Sequence, residues 1–421
     1  MSKSRLKLSS AIAAAMLVAA PATQAGPWGY DLGNNLGPAS QALAGTSLAR
    51  PQDTVSAVFG NPATLTQFKG TQFTLGATFY QPEVDLEHDG SVTGAAFHAD
   101  SGTEIFPVPE IAVTQDLRGL NIPATLGIGF TATSGIGSEW RHEPESLGAG
   151  AEFIILGVNA ALGYEITDKL SLGAAATISL AQMDLGLAST SAEDHTLGLR
   201  GTLGVNYDFN DSTTLGGFYQ TKQKHTFDDL VATSVTPAGQ QNFSDVTIEQ
   251  PANIGIGIAN SSLLGGDLLL MADLTYKYWE NADFWQDLYK NQTVFSVGAQ
   301  YTVGKWKWRI GYAHANDPTK KNASAPIGNL TQVSSAFGVI PLSDPVVQYL
   351  QATQTEVIYE NRIGLGFGYT GFLMPNLDAD VGGGWEFKND RCYGSGSLSC
   401  GGHTYDEVYS WHVGGALTWR F

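Results

Sequence analysis

The last thirteen residues, Tyr409-Ser-Trp411-His-Val413-Gly-Gly415-Ala-Leu417-Thr-Trp419-Arg-Phe421, alternate apolar residues or glycine at odd positions with small or polar residues at even ones. A β-strand repeats every two residues, so Tyr409, Trp411, Val413, Leu417, Trp419 and Phe421 project to one side, and Ser410, His412, Ala416, Thr418 and Arg420 to the other. A soluble sandwich also alternates, but it has no need of aromatics near both ends of the stripe or of an aromatic as the terminal residue. Both features suit a strand whose outer face lies in lipid between two interfaces.

The other end of the chain sets the compartment. Lys3, Arg5 and Lys7 precede an apolar run from Leu8 to about Ala20. The run is too short to span a bilayer and is followed by small residues, the pattern of a secretory signal peptide. Residues 1–25 are therefore expected to be removed, with Thr23 and Ala25 at the small-residue positions and a cut after Ala22 as the alternative. No other stretch reaches the roughly 18 uncharged apolar residues that a membrane helix needs, so an integral membrane protein built from this chain must be a barrel. That places it in the outer membrane of a Gram-negative cell.

Composition bears on partners. Fifty glycines, a tenth of the residues aromatic, and a mean hydropathy of -0.06 suit strands in which lipid-facing apolar residues are averaged against polar ones facing a lumen. Without the three signal-peptide cations, 19 Lys and Arg stand against 40 Asp and Glu, a net charge of about -21. Nucleic acid and other anionic polymers are poor partners for a chain of that balance. Acids such as Glu83, Asp85, Glu87, Asp89, Asp228 and Asp229 fall toward expected loops. There they are either a solvated surface or a means of bridging divalent cations to lipopolysaccharide.

Alternation along the chain predicts fourteen strands, at 71–88, 105–117, 124–135, 151–167, 170–186, 195–209, 213–227, 246–262, 267–279, 293–303, 306–317, 355–371, 377–389 and 405–421. Connections after even-numbered strands are short and those after odd-numbered strands are long, apart from the brief third loop near 187–194. Short turns belong to the periplasmic side and long loops to the outside, and an even strand number returns the C-terminus to the periplasm. In the sixth strand Leu197, Leu199, Leu203, Val205, Tyr207 and Phe209 alternate with Thr196, Arg200, Thr202, Asn206 and Asp208. Tyr301, Trp306 and Trp308 are expected in the inner aromatic girdle, and Tyr276, Tyr278 and Trp279 in the outer one.

The inward register is rich in glycine, including Gly127, Gly129, Gly173, Gly198, Gly204, Gly255, Gly257, Gly298, Gly364 and Gly382. Glycine weakens a strand, so such a lining implies a bend or something packed closely against the wall. Residues 26–70, rich in Gly, Ala, Asn and Pro and too short for a separate domain, are the candidate plug; residues 71–421 form the barrel.

Within that segment, Asp53-Thr-Val-Ser-Ala-Val58-Phe59-Gly-Asn61-Pro62-Ala63 resembles the hatch of the FadL/TodX (OmpP1) outer-membrane transporter family, with its Asn-Pro-Ala motif before the first strand. Gly37 to Gly45, Phe106-Pro107, Gly129-Phe130-Thr-Ala-Thr-Ser134-Gly135, Pro251-Ala-Asn-Ile-Gly-Ile-Gly257, Trp308-Arg-Ile-Gly311-Tyr312 and Phe421 extend the resemblance over nearly the whole mature chain. The resemblance implies a monomeric, all-β, fourteen-stranded transmembrane barrel with an N-terminal hatch, carrying hydrophobic molecules such as long-chain fatty acids or aromatic and aliphatic hydrocarbons without an energy source. It implies capture by extracellular loops and lateral exit at a kink in the third strand, with Gly127, Gly129 and Gly135 as candidate kink positions. The terminal Phe421 resembles the signal read by the barrel-assembly machinery.

The loop from about 318 to 354 is the candidate capture element. Phe337, Ile340, Leu342, Val346 and Tyr349 make it more apolar than a solvated loop needs to be. A fatty-acid carboxylate would call for a cation, for which Arg200, Arg309 and Arg362 are candidates unless they pair with nearby acids. Cys392 and Cys400 lie in the loop between the last two strands, outside the cell by this topology, and are expected to form a disulfide.

Enzyme and cofactor signals are weak. There is no HExxH, Ser410 with His412 or His403 is a loose pairing, and the GxGxG at Gly364 to Gly368 falls within a strand instead of opening a helix. Neither a cofactor nor a metal is implied. The principal alternative is a general, anion or sugar porin, which would filter with a narrowing loop and would lack the hatch.

Overall fold

The computed structural model of the chain describes residues 36–187, 190–235, 240–335, 338–355 and 359–421. The expected signal peptide and the start of the expected plug lie outside these residues. Fourteen antiparallel strands close into a barrel: β1 Thr71–His88, β2 Phe106–Asp116, β3 Ala124–Glu139, β4 Gly150–Glu165, β5 Leu170–Leu187, β6 Thr190–Asn210, β7 Thr213–Gln220, β8 Asn253–Leu263, β9 Leu268–Lys277, β10 Gln292–Val303, β11 Trp306–Ala315, β12 Asn361–Tyr369, β13 Leu377–Tyr393 and β14 Thr404–Arg420. Each pairs with its neighbours in sequence, and β14 pairs with β1 from Gln72↔Arg420 to His88↔Thr404, which closes the ring. No helix among the described residues is long and apolar enough to cross a membrane.

The two-residue repeat explains which way the side chains face. Leu197, Leu199, Leu203 and Phe209 stand at least 62% exposed on the outside, while Gly198, Thr202 and Asn206 are buried toward the lumen. On β14 Val413 and Phe421 face outward, whereas Ser410, His412 and Ala416 are buried. At the turn between β10 and β11, Trp306 and Trp308 stack at 5.7 Å on the outer surface. Trp279 departs from its expected place in the outer girdle. The chain leaves β9 at Lys277, and Trp279 turns inward to be 1% exposed, with its ring 5.7 Å from Trp285 and 5.5 Å from Tyr289.

The seventh and eighth strands are shorter than the alternation predicts. β7 stops at Gln220 and β8 starts at Asn253; between them Gln223–Val235 and Gln241–Gln250 form a separate two-stranded sheet. Pro251 has no N–H to give to a ladder, and the Arg200 guanidinium donates to the carbonyls of Thr221 and Pro251 where the chain leaves the wall. The hairpin folds inward: His225 lies against Gly198 and 2.9 Å from the Ser179 hydroxyl, and the ring of Phe227 is 6.0 Å from that of Phe153. β12 likewise begins later than expected, at Asn361, and the connection before it carries a helix at Asp344–Gln354.

Residues 36–70 lie inside the ring of strands. They form short helices at Pro38–Gln41 and Thr54–Phe59 and a 3₁₀ helix at Pro62–Gln67, nearly all buried. The Asp53 carboxylate caps the second helix by accepting from Ser56 N–H at 2.8 Å, and it also accepts from Gly37 and Ser40 N–H. One acid thus ties both helices together. Val55, Val58, Phe59 and Leu65 then pack against the wall beside Ala112 and Ala161.

Candidate binding cavity and wall opening

At the extracellular end the long connections fold over the lumen and leave an apolar cavity of about 420 Å3. Strands and loops from across the chain build it. β4 and β5 supply Phe153 and Met183; the inward hairpin supplies Leu230, Phe243 and Ile248; the β9–β10 connection supplies Phe284, Trp285 and Leu288. The β11–β12 connection adds Leu330, Val333 and Leu342, and its helix adds Leu350, Gln351 and Gln354. Phe284 holds a left-handed backbone, φ 72°, immediately before the helix Trp285–Leu288. That costly conformation turns the chain so that Phe284 and Trp285 both reach the cavity.

The candidate capture residues divide. Leu342 lines the cavity, and Ile340 and Val346 pack against the cluster around it. Tyr349 faces the other side of its helix, where its hydroxyl donates to the Ser146 carbonyl at 2.8 Å and its ring lies 4.8 Å from His88. Burial pushes the Tyr349 hydroxyl above its ordinary pKa. Phe337 lies outside the described residues. On the same side of the helix, His403 sits 3.2 Å from the Gln348 amide oxygen and 2.7 Å from the Thr404 hydroxyl. Burial lowers the imidazole's pKa, with the Asp89 carboxylate opposing. The loop residues most useful for lining a cavity and those that dock the helix are therefore different residues. Alternation in sequence carries no mark that separates them.

The wall itself is interrupted between β2 and β3. Their ladder runs from Asp116↔Thr125 to Glu110↔Thr131 and stops, although β2 continues to Phe106 paired with β1. Parity explains the stop. Asp116 N–H bonds toward β1, to Gly70, and Leu117 N–H bonds toward β3, to Ala124, so odd-numbered residues of β2 address β3. Pro107 and Pro109 are both odd and carry no N–H. On β3 the register shifts between Ala132 and Ser134, a bulge at Thr133 opposite Leu156 and Ile155. In the sequence two prolines spaced by two mark this break, and the candidate kink glycines do not.

Gly127 and Gly129 lie below the bulge, in regular pairing with Ala161 and Asn159, and Gly135 lies above it, paired with Ile154. A methyl group on Gly127 would come within 2.8 Å of Val58, and one on Gly129 within 2.7 Å of Phe59. The wall glycines therefore admit the N-terminal segment. Gly204 does the same for Pro62, at 2.8 Å. Asn61 fastens the segment: its oxygen accepts from Ala63 N–H, and its amide donates to the carbonyls of Leu48 and Val205 at 2.8 and 2.9 Å. Asp273 on β9 accepts from Ser47 and Leu48 N–H, and Glu110, at the edge of the break, accepts from Gln41 and Thr78.

Residues 16–261 match the model of a family described as outer membrane protein transport protein (OMPP1/FadL/TodX), more than half of the chain. The chain belongs to this family. It is 23% identical to outer membrane protein P1 of Haemophilus influenzae over 398 residues, covering 78% of this chain and 85% of that one. Its fold is similar to the toluene transporter TodX of P. putida, with TM-score 0.64, 18% identity and coverage of 93% and 99%. The toluene transporter TbuX of Ralstonia pickettii matches with TM-score 0.64, 18% identity and coverage of 93% and 100%. A Pseudomonas aeruginosa FadL homologue matches with TM-score 0.63, 15% identity and coverage of 95% and 100%. The FadL/TodX assignment makes this an outer-membrane protein of a family that transports hydrophobic compounds.

The three candidate carboxylate partners in this FadL/TodX barrel are engaged. Arg200 donates to the two carbonyls at the hairpin's base, Arg309 bonds Asp380 at 2.6 Å and Gln300 at 2.7 Å, and Arg362 lies 3.9 Å from Glu386. Glu386 also receives His412 at 3.0 Å, so His412 is committed to an acid and not to Ser410. Cys392 and Cys400 are joined in a disulfide with Cα atoms 6.2 Å apart.

Proposed function

We propose that the protein is a passive uptake route for small hydrophobic molecules, which enter the apolar cavity under the extracellular loops, pass along the barrel, and leave sideways into the bilayer at the β2–β3 break. The observation that carries this reading is the apolar cavity roofed by loops above a lumen filled by the N-terminal segment. A water-filled pore does little for an apolar solute, which gains about 0.8 kcal/mol per CH2 by staying out of water. An apolar chamber offers that gain at the cell surface, past the polar lipopolysaccharide leaflet. The interrupted ladder supports lateral exit, because a complete ladder would have to be broken each time a molecule left.

Residues 26–70 act in this proposal as the hatch, with Phe59, Asn61, Pro62 and Ala63 at its fastening point. The protein works as a monomer, with Phe421 read during barrel assembly and loop acids facing lipopolysaccharide. Uptake of labelled toluene and dodecane by cells with and without the protein tests the reading. Filling the cavity with Leu350→Trp should lower uptake about tenfold, as expected for a blocked apolar site. Unchanged hydrocarbon uptake on deleting the protein, together with passage of small sugars at porin rates, would favour the general porin instead.

A further inference from the structure

Chemistry in the cavity wall narrows the ligand, on the reading that this cavity is the capture site. Among the described residues lining it there is no Lys, Arg or His; its polar groups are the neutral side chains of Gln241, Ser334, Gln351, Gln354 and Thr355. Two cations elsewhere in the loops are occupied. Arg141 is held between Glu139 and Asp184, each at 2.9 Å, and Lys320 donates to the Gln286 carbonyl at 2.6 Å. Deeper in the barrel, Arg309 is closed by Asp380, and Arg200 is spent on backbone carbonyls. A second space, of about 110 Å3 beside the N-terminal segment, holds Arg362 and Lys277 together with Asp273, and it shares no lining residue with the apolar cavity.

We infer that the protein selects uncharged hydrophobic molecules, hydrocarbons and their neutral alcohols, and discriminates against carboxylates of the same shape. A carboxylate moved into this cavity loses its water and meets no cation, only neutral amides and hydroxyls, so desolvation of its charge is poorly compensated. A hydrocarbon loses nothing, and an alcohol finds amide and hydroxyl partners for a single O–H.

Saturation binding to the full-length protein in lipid nanodiscs at pH 8 tests this, with 1-dodecanol and dodecanoate as matched probes and n-propylbenzene as competitor. The expected result is propylbenzene-displaceable binding of dodecanol, with dodecanoate at least about tenfold weaker, reflecting the unpaired charge. Leu330→Lys and, separately, Gln354→Lys place a cation at the cavity and should each strengthen dodecanoate binding about tenfold relative to dodecanol; having two sites guards against one variant failing to fold. Dodecanoate binding as tightly as dodecanol to the unaltered protein would overturn the selectivity while leaving hydrophobic uptake standing. If neither probe bound displaceably, the capture reading would fall and the selectivity with it.

Discussion

The two halves of the barrel lumen are filled by opposite means. On the periplasmic side a backbone segment is held against glycines by carboxylates and amides, with Asp53, Asn61, Glu110 and Asp273 each binding two or more partners. On the extracellular side five apolar segments meet through Phe, Trp, Leu and Met side chains and leave a space of about 420 Å3. Hydrogen bonds are directional and specify one fit, so they suit the proposed role of the segment as a plug. Dispersion contacts are individually weak and tolerant of exchange, so they suit a chamber whose contents must come and go. The β2–β3 break lies between the two regimes, with Glu110 of the lower set at its edge.

The largest effect should come from converting the lower half into an open pore. Gly204→Val together with Gly127→Val puts side chains where Pro62 and Val58 now sit, and the N-terminal segment should be expelled while the barrel, closed by its ladders, stays folded. Single-channel conductance in planar bilayers is expected to rise at least about tenfold toward porin values, following the loss of close packing. A conductance equal to that of the unaltered protein would mean that the segment is not what blocks the lumen. Deleting residues 26–70 should give the same rise.

Next in size is the break itself. Pro107→Thr with Pro109→Thr returns two N–H donors facing β3, and the ladder should extend past Glu110↔Thr131. Hydrocarbon uptake should fall several-fold while dodecanol binding at the cavity is unaffected. Uptake and binding falling together would place the effect at the cavity and remove the argument for lateral exit.

Smaller effects are expected where loops are only pinned. Replacing Cys392 and Cys400 by Ser releases a loop whose closure is worth roughly 2–3 kcal/mol in the chain-entropy account. Amide exchange in residues 393–403 should speed up with little change in uptake; a large loss of uptake would give the loop a part in transport. The smallest change follows pH. His403 has its pKa lowered by burial, so the docked helix is favoured above the ordinary value of 6.5 and progressively less as pH falls below it. Protection of the helix Asp344–Gln354 against amide exchange, corrected for the intrinsic pH dependence of exchange, should fall as pH drops below 6.5, and His403→Gln should flatten that dependence.

Much of the wall was legible because a barrel strand must show lipid on one side and a lumen on the other at every second residue. The strand starts and ends on the periplasmic side all lie within two residues of where that rule and the short turns put them, as at Asn210 to Thr213 and Val303 to Trp306. The same rule overran at 221–227 and 246–250, because a two-stranded hairpin over the lumen alternates just as a wall strand does. Trp279 was misplaced for a related reason, since an aromatic at a strand end serves equally well in a girdle or in an enclosed cluster. Cys392 and Cys400 were paired correctly from topology alone, as few other arrangements were open to them.

The cavity belongs to a different class of information. Phe153, Met183, Leu230, Trp285 and Leu342 come from five segments separated by tens of residues, and their meeting depends on how far each loop folds over the lumen. Local sequence determined strand number, direction, compartment and the glycine lining, because period, turn length and residue size act over neighbouring positions. Only the tertiary structure decided which apolar loop residues enclose a void, which arginines are spent on carbonyls and acids, and that Pro107 and Pro109 face β3, because each of these depends on what lies across space from a residue.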